Sequence, residues 1–136
     1  MNRKTNYIIF GGSGFVGYHY YKYLLKSSTV KILDIRKPTY KFKNEYIYTD
    51  VRKLIDFEFD SCDTIINLAA IHTTPGHEEY EYYETNVNGA VNVCDFARKN
   101  NIKNIIFTSS ISPYGTHEEE KDENSLLMPN SPYGIS

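Results

Sequence analysis

Residues 7–17 read YIIFGGSGFVG, from Tyr7 to Gly17, and the reading of that run decides the fold. A short apolar stretch, Tyr7 to Phe10, runs into Gly11, Gly12, Ser13 and Gly14, and from Phe15 onward Val16, Tyr20 and Leu24 recur at helical spacing with Phe15 and Leu25 beside them. Strand, glycine turn and helix in that order are the parts of a dinucleotide site. Gly11 lets the chain turn sharply out of the strand, Gly14 leaves no Cβ in the way of a diphosphate, and Gly17 lets the helix lie close against the sheet. The helix then points unpaired N–H groups and its positive end at the anion. The run satisfies both G-x-x-G-x-x-G (Gly11, Gly14, Gly17) and G-x-G-x-x-G (Gly12, Gly14, Gly17), and a glycine turn that holds no ligand satisfies them equally.

Asp34 narrows the choice. It ends the next apolar run (Val30, Lys31, Ile32, Leu33), roughly 20 residues past the glycines, as the dinucleotide fingerprint expects. A carboxylate there accepts both ribose hydroxyls of an adenosine and repels a 2′-phosphate, which favours NAD over NADP. Arg36, two residues on, pulls the other way, because a guanidinium pairs with phosphate or covers an adenine.

Composition sets the outer bounds. At 136 residues the chain is one domain, 1–136, long enough for a core and short for an enzyme that needs both a cofactor domain and a substrate domain. A net charge of −2, with Lys and Arg scattered, argues against nucleic acid as a partner. No apolar stretch approaches the roughly 20 residues of a membrane span, and the polar start leads straight into a strand, so the expected compartment is the cytoplasm. Cys62 and Cys94 lack metal spacing to His19, His72, His77 or His117, and no metal is expected. The 13 tyrosines read as compositional bias before function.

The remaining chain alternates strand and helix. A second strand is expected over 30–34, and Lys37 to Asn44 reads as a solvated basic loop. Residues 45–49 alternate like a third strand, and Asp50 either only caps a short helix through about Phe57 or also touches adenine. Thr64 to Leu68 form a near-continuous apolar run of the kind a parallel sheet buries on both faces, ending in the small Ala69 and Ala70. The longest helix runs from about Glu78 to Asn100, with Tyr83, Val87, Ala90, Val91, Cys94 and Ala97 on its apolar face and Gly89 marking close packing. Asn104 to Ser109 make a fifth strand, and 111–136, with its run Glu118 to Glu123, reads as loop. The fold class is therefore α/β: a Rossmann-type doubly wound parallel sheet of five strands in order 3-2-1-4-5. Gly11, Asp34, Asp50, Leu68 and Ser109 converge at the carboxyl ends of its strands.

Four stretches then carry a family resemblance: GGSGFVG at 11–17, NLAA at 67–70, TNVNGAVNV at 85–93, and SSISPYG at 109–115 with PNSPYGIS at the end. The chain resembles the amino-terminal part of the extended short-chain dehydrogenase/reductase superfamily, in particular the NAD-dependent epimerase/dehydratase family typified by UDP-glucose 4-epimerase. The resemblance implies that Gly11, Gly14, Phe15 and Val16 form the pyrophosphate loop and that Asp34 is the ribose ligand. It gives Asp50 and Val51 to adenine, places Leu68, Ala69 and Ala70 beside the cofactor, and makes Asn86 a helix residue that steadies the site; Asn86 serves equally as a helix residue bonded to a loop. Ser110 matches the catalytic Ser/Thr, with Ser109, counted with the cofactor-binding residues, and Ser112 as alternative hydroxyls, and Tyr133 matches the tyrosine of Y-x-x-x-K. The implied substrate is a nucleotide sugar, and the implied parent a homodimer. Ile111 and Ser112 stand where dehydratase members carry an Asp-Glu pair, which disfavours dehydration.

The motif lysine belongs to the position after Ser136. A tyrosine with an ordinary pKa near 10 and no neighbouring ammonium is ionised to only about one part in a thousand at pH 7. The expectation is an NAD-binding part that is inactive alone and self-associates through surface that further chain would cover, or else a non-catalytic NAD-binding module, or half of a sugar-nucleotide reductase.

Overall fold

The computed structural model describes residues 4–40, 46–59, 61–116 and 119–136. Five parallel strands form one sheet in the order β3-β2-β1-β4-β5, the order expected. They are β1 (Asn6–Phe10), β2 (Thr29–Asp34), β3 (Tyr46–Tyr48), β4 (Thr64–Asn67) and β5 (Asn104–Phe107). The helices are α1 (Phe15–Leu24), α2 (Glu79–Tyr82), α3 (Gly89–Lys99) and α4 (Pro132–Ile135), with a π-turn over Tyr83–Asn88 between α2 and α3 and a 3-10 turn at Ser112–Tyr114. Register is continuous across the centre: Ile9 pairs with Ile32 on one side and Ile66 on the other, and Ile66 with Ile106.

Strand alternation divides the core into two faces, because successive side chains leave a strand on opposite sides. Ile8, Phe10, Leu33 and Ile65 point to one face and pack with Val93, Phe96 and Ala97 of α3. Ile9, Val30, Ile32 and Ile66 point to the other and pack with Tyr21 of α1. Phe10 meets Phe96 edge to face at 5.6 Å, and Phe57 and Phe59 complete an aromatic cluster around the Phe96 ring. Such edge-to-face pairs place a positive ring edge on a negative ring face.

Five local expectations need correction. The stretch 111–136 is not loop throughout: Ser112–Tyr114 make a 3-10 turn and Pro132–Ile135 make α4, whose start is capped by Ser131, its side chain accepting the Gly134 N–H. No helix follows Asp50: its carboxylate accepts the Arg52 N–H two residues on, an Asx-type turn that competes with helix, and residues 54–59 run without regular structure. The long helix is not continuous, and the π-turn rotates its buried side, so Tyr82, Gly89, Val93, Phe96 and Ala97 are buried while Tyr83, Val87 and Val91 are exposed. On α1 the most buried aromatic is Tyr21, with Phe15 and Val16 exposed at the helix start. The stretch Lys37 to Tyr40 is not simply solvated, since Pro38 is buried and Tyr40 packs against the α1 face of the core. The rest of that loop and part of the acidic run, including Glu118, lie outside the described residues. Gly89 does mark close packing: a Cβ there would sit 2.8 Å from Val51 Cγ2.

Candidate cofactor site

The glycine turn is built around contacts too close for any side chain. A Cβ on Gly17 would lie 2.5 Å from the Gly12 carbonyl oxygen, and one on Gly11, whose φ is +72°, would lie 2.7 Å from the Ala69 nitrogen. Gly14 differs: a Cβ there would meet only the Gly11 carbonyl oxygen, at 3.5 Å. Steric need within the protein explains Gly11 and Gly17, whereas Gly14 faces the cleft. Gly14 is also the N-cap of α1, and no side chain caps that helix or places an acid in its first turn. A helix start left this way is suited to an anion.

Asp34 ends β2 and is 7% exposed. Its Oδ2 accepts the Ser13 N–H at 3.0 Å and its Oδ1 the Arg36 N–H at 2.9 Å, so backbone donors orient a buried carboxylate and leave it acceptor capacity toward the cleft. The Asp34 carbonyl accepts from the Tyr46 hydroxyl at 3.0 Å and from the Thr49 N–H at 3.0 Å, which ties β3 to the same residue.

Asp50 is held by Arg52 in a bidentate pair, Nε to Oδ1 at 2.9 Å and NH2 to Oδ2 at 2.7 Å. Those hydrogen bonds hold the Asp50 carboxyl below its usual range and raise the Arg52 guanidinium. Next to it, the Val51 carbonyl accepts from the Asn92 side chain of α3 at 2.7 Å. At the end of β4, Asn67 Oδ1 accepts the Ala69 N–H at 3.2 Å and shapes the turn into Ala69 and Ala70.

A cleft of about 560 Å³ opens over these strand ends. Gly11, Gly14, Phe15, Val16, Asp34, Asp50, Val51, Leu68, Ala69 and Ala70 all line it, together with Arg36, Arg52, His72 and Thr85. Asn86, Ser109, Ser110 and Tyr133 stand outside that lining. Asn86 reaches the cleft wall indirectly: its Oδ1 accepts the Ile71 N–H at 2.8 Å, and its Nδ2 donates to the Ile71 carbonyl at 3.0 Å and to Ser136 Oγ at 2.8 Å. One side chain thereby joins the segment after β4 to α4, and the His72 ring comes to 6.5 Å from that of Tyr133. Ser110 Oγ donates to Ser112 Oγ and accepts the Ser112 N–H, both at 3.1 Å, and Gly134 packs on the Ser112 carbonyl, so the serine turn and the tyrosine helix lie against each other.

Sequence reasoning missed Ser13, Arg52 and Thr85. Arg52, two residues past Asp50 and able to reach back to it, was the readable one. Thr85 Oγ1 is buried and has no hydrogen-bond partner among the described residues. An orphaned hydroxyl in a residue that lines the cleft, an uncapped helix start and an oriented carboxylate fit a dinucleotide. Among the described residues no His, Cys, Asp and Glu cluster is arranged to hold a metal ion, and no helix is long and apolar enough to cross a membrane.

Sheet order and cleft position define a Rossmann-type dinucleotide-binding domain. Residues 7–136 match the NAD dependent epimerase/dehydratase family, and the chain belongs to that family, whose cofactor is NAD. The N-acetyl-alpha-D-glucosaminyl-diphospho-ditrans,octacis-undecaprenol 4-epimerase of Escherichia coli is 35% identical over 135 residues, covering 98% of this chain and 40% of that protein. The UDP-glucose 4-epimerase of Halalkalibacterium halodurans is 30% identical over 139 residues, covering 93% of this chain and 41% of that protein. In fold, a crystal structure of UDP-galactose 4-epimerase superimposes with a TM-score of 0.85 at 23% identity, over 96% of this chain and 47% of that one. The chain thus spans less than half the length of these relatives.

Proposed function

We propose that this chain is the NAD-binding part of a nucleotide-sugar epimerase. The observation that carries the reading is Asp34: a buried carboxylate, aimed by two backbone N–H groups, beside an uncapped helix start in one cleft. Asp34 takes the adenosine ribose hydroxyls, the turn from Gly11 to Val16 takes the diphosphate, and Asp50 and Val51 flank the adenine. Leu68, Ala69 and Ala70 lie beside the nicotinamide half. Asn86 and Ser109 support that end.

When bound, NAD would supply a hydride acceptor for the hydrogen of a sugar carbon. In the complete enzyme Tyr133 removes the proton of the sugar hydroxyl and Ser110 holds the same oxygen by hydrogen bonding. The turn that carries Ser110 and the helix α4 that carries Tyr133 lie against each other, which supports that pairing of roles. On this reading the 136 residues bind NAD, and turnover belongs to the complete enzyme.

Calorimetric titration with NAD is the direct test; absence of heat at millimolar NAD rejects the reading. Incubation with UDP-glucose or UDP-galactose then separates binding from catalysis. A non-catalytic module has its own support in the Ser110 hydroxyl, which is engaged with Ser112 on both its donor and acceptor sides. NAD binding by a longer chain continuing past Ser136, without sugar turnover, would favour that second reading. A reductase would instead consume reduced cofactor in proportion to sugar.

A further inference from the structure

The peptide group joining Gly12 to Ser13 is held at both ends. Its carbonyl accepts the Tyr40 hydroxyl at 2.7 Å, and its N–H donates to Asp34 Oδ2 at 3.0 Å. A trans peptide is planar with its carbonyl and N–H pointing in opposite directions, so the two contacts fix the orientation of one plane. The loop closes through Arg36, whose N–H donates to Asp34 Oδ1 and whose carbonyl accepts the Ser13 hydroxyl. Hydrogen bonds in such a chain polarise one another, and the Tyr40 hydroxyl is its outermost donor.

Tyr40 is itself well seated. Its ring lies 4.6 Å from that of Tyr18 and 5.8 Å from that of Tyr21, both on α1. Burial, with smaller contributions from Tyr21, Asp34 and Tyr18, pushes its phenol up to about 12, so it remains a donor throughout the neutral range. Gly12 cannot drift to compensate for a lost partner, because it is buried against Ile32.

We propose that Tyr40 is a positioning residue for the dinucleotide: through the Gly12–Ser13 peptide its hydroxyl aims the Asp34 carboxylate and the diphosphate turn together. The inference rests on the reading of the cleft as an NAD site. It gives a function to a connection that the sequence presents as a plain solvated loop, and to one of the 13 tyrosines.

Tyr40→Phe keeps the ring packing and removes only the hydroxyl. NAD affinity is measured by calorimetry on the 136-residue chain, and exchange of the Ser13 amide hydrogen is followed by NMR. The expected result is binding weakened about three- to tenfold, with faster exchange at Ser13 and unchanged exchange in β1 and β4. Tyr23→Phe, altered on the exposed side of α1, serves as the control and binds as the unaltered chain does. Equal NAD affinity in Tyr40→Phe overturns the proposal. So does weaker binding accompanied by faster exchange throughout the sheet, which would reduce Tyr40 to a residue of general stability. If the unaltered chain fails to bind NAD, the cofactor reading falls and this inference falls with it, an outcome distinct from unchanged affinity in the variant.

Discussion

On the β2 side of the sheet, polar groups converge on the strand end: Asp34 is 7% exposed, its carboxylate held by two N–H groups and its carbonyl shared by Tyr46 and Thr49. On the β5 side, Ile106 is 44% and Phe107 61% exposed although both are strand residues paired to β4. The apolar pattern of β5 is that of a strand buried on both faces, and the structure buries neither. The two sides share one sheet and differ in what covers them. One presents an oriented, mutually bonded polar cluster, while the other carries interior residues on its outside, the surface through which we propose that the chain self-associates.

That contrast can be broken from the side where the effects are largest. Gly17→Ala places a methyl 2.5 Å from the Gly12 carbonyl oxygen, and a loss of about 3 kcal/mol or outright failure to fold is expected in denaturant melts. Gly14→Ala makes only an ordinary contact at 3.5 Å, so it should leave the melt nearly unchanged; a large loss there would mean that the turn is as crowded toward the cleft as toward the sheet. Asp34→Ala leaves the Ser13 and Arg36 N–H groups without their acceptor and is expected to weaken NAD at least tenfold in calorimetry. Unchanged affinity would detach the carboxylate from the cofactor.

The pH limits sharpen the contrast further. Arg52 holds the folded Asp50 below its unfolded value, so the pair's stabilisation is present above about pH 4 and is lost as pH falls through the depressed folded value. Asp50→Asn should remove about 1 kcal/mol near neutrality and flatten that acid limb, a modest effect because Arg52 is partly exposed. Tyr40 works in the opposite direction. With its folded pKa at about 12, its contribution is complete below pH 10 and declines as pH rises from there through 12, so Tyr40→Phe should flatten the alkaline limb. The smallest stability effect belongs to the open side. Phe107→Asp should shift the melt by less than about 0.5 kcal/mol while lowering the mass seen by light scattering at high concentration. A large destabilisation would show that β5 is covered in the isolated chain.

The sheet order was legible because it follows from alternation: each apolar run is short, each is followed by helix or turn, and right-handed crossovers leave few orders to choose from. The glycine turn and Asp34 were legible because spacing along the chain carries their chemistry. What escaped was whatever depends on reach across the chain. Nothing local announces that Tyr40 meets Gly12, 28 residues away, or that Asn92 holds Val51. The missing helix after Asp50 escaped for the opposite reason, since a single side-chain hydrogen bond to Arg52 outcompeted a weak propensity.

The π-turn at Tyr83–Asn88 has a last consequence. By fitting one extra residue into a turn, it sets the phase between two tasks of a single helical rod: Asn86 grips the cleft wall before the helix resumes, and Val93, Phe96 and Ala97 seal the interior afterwards. An uninterrupted α-helix would advance each later side chain by about 100°, so it could satisfy one task or the other. The number of residues between Asn86 and Val93 is therefore fixed like the teeth between two gears, and this stretch tolerates exchange of side chains far better than the gain or loss of one.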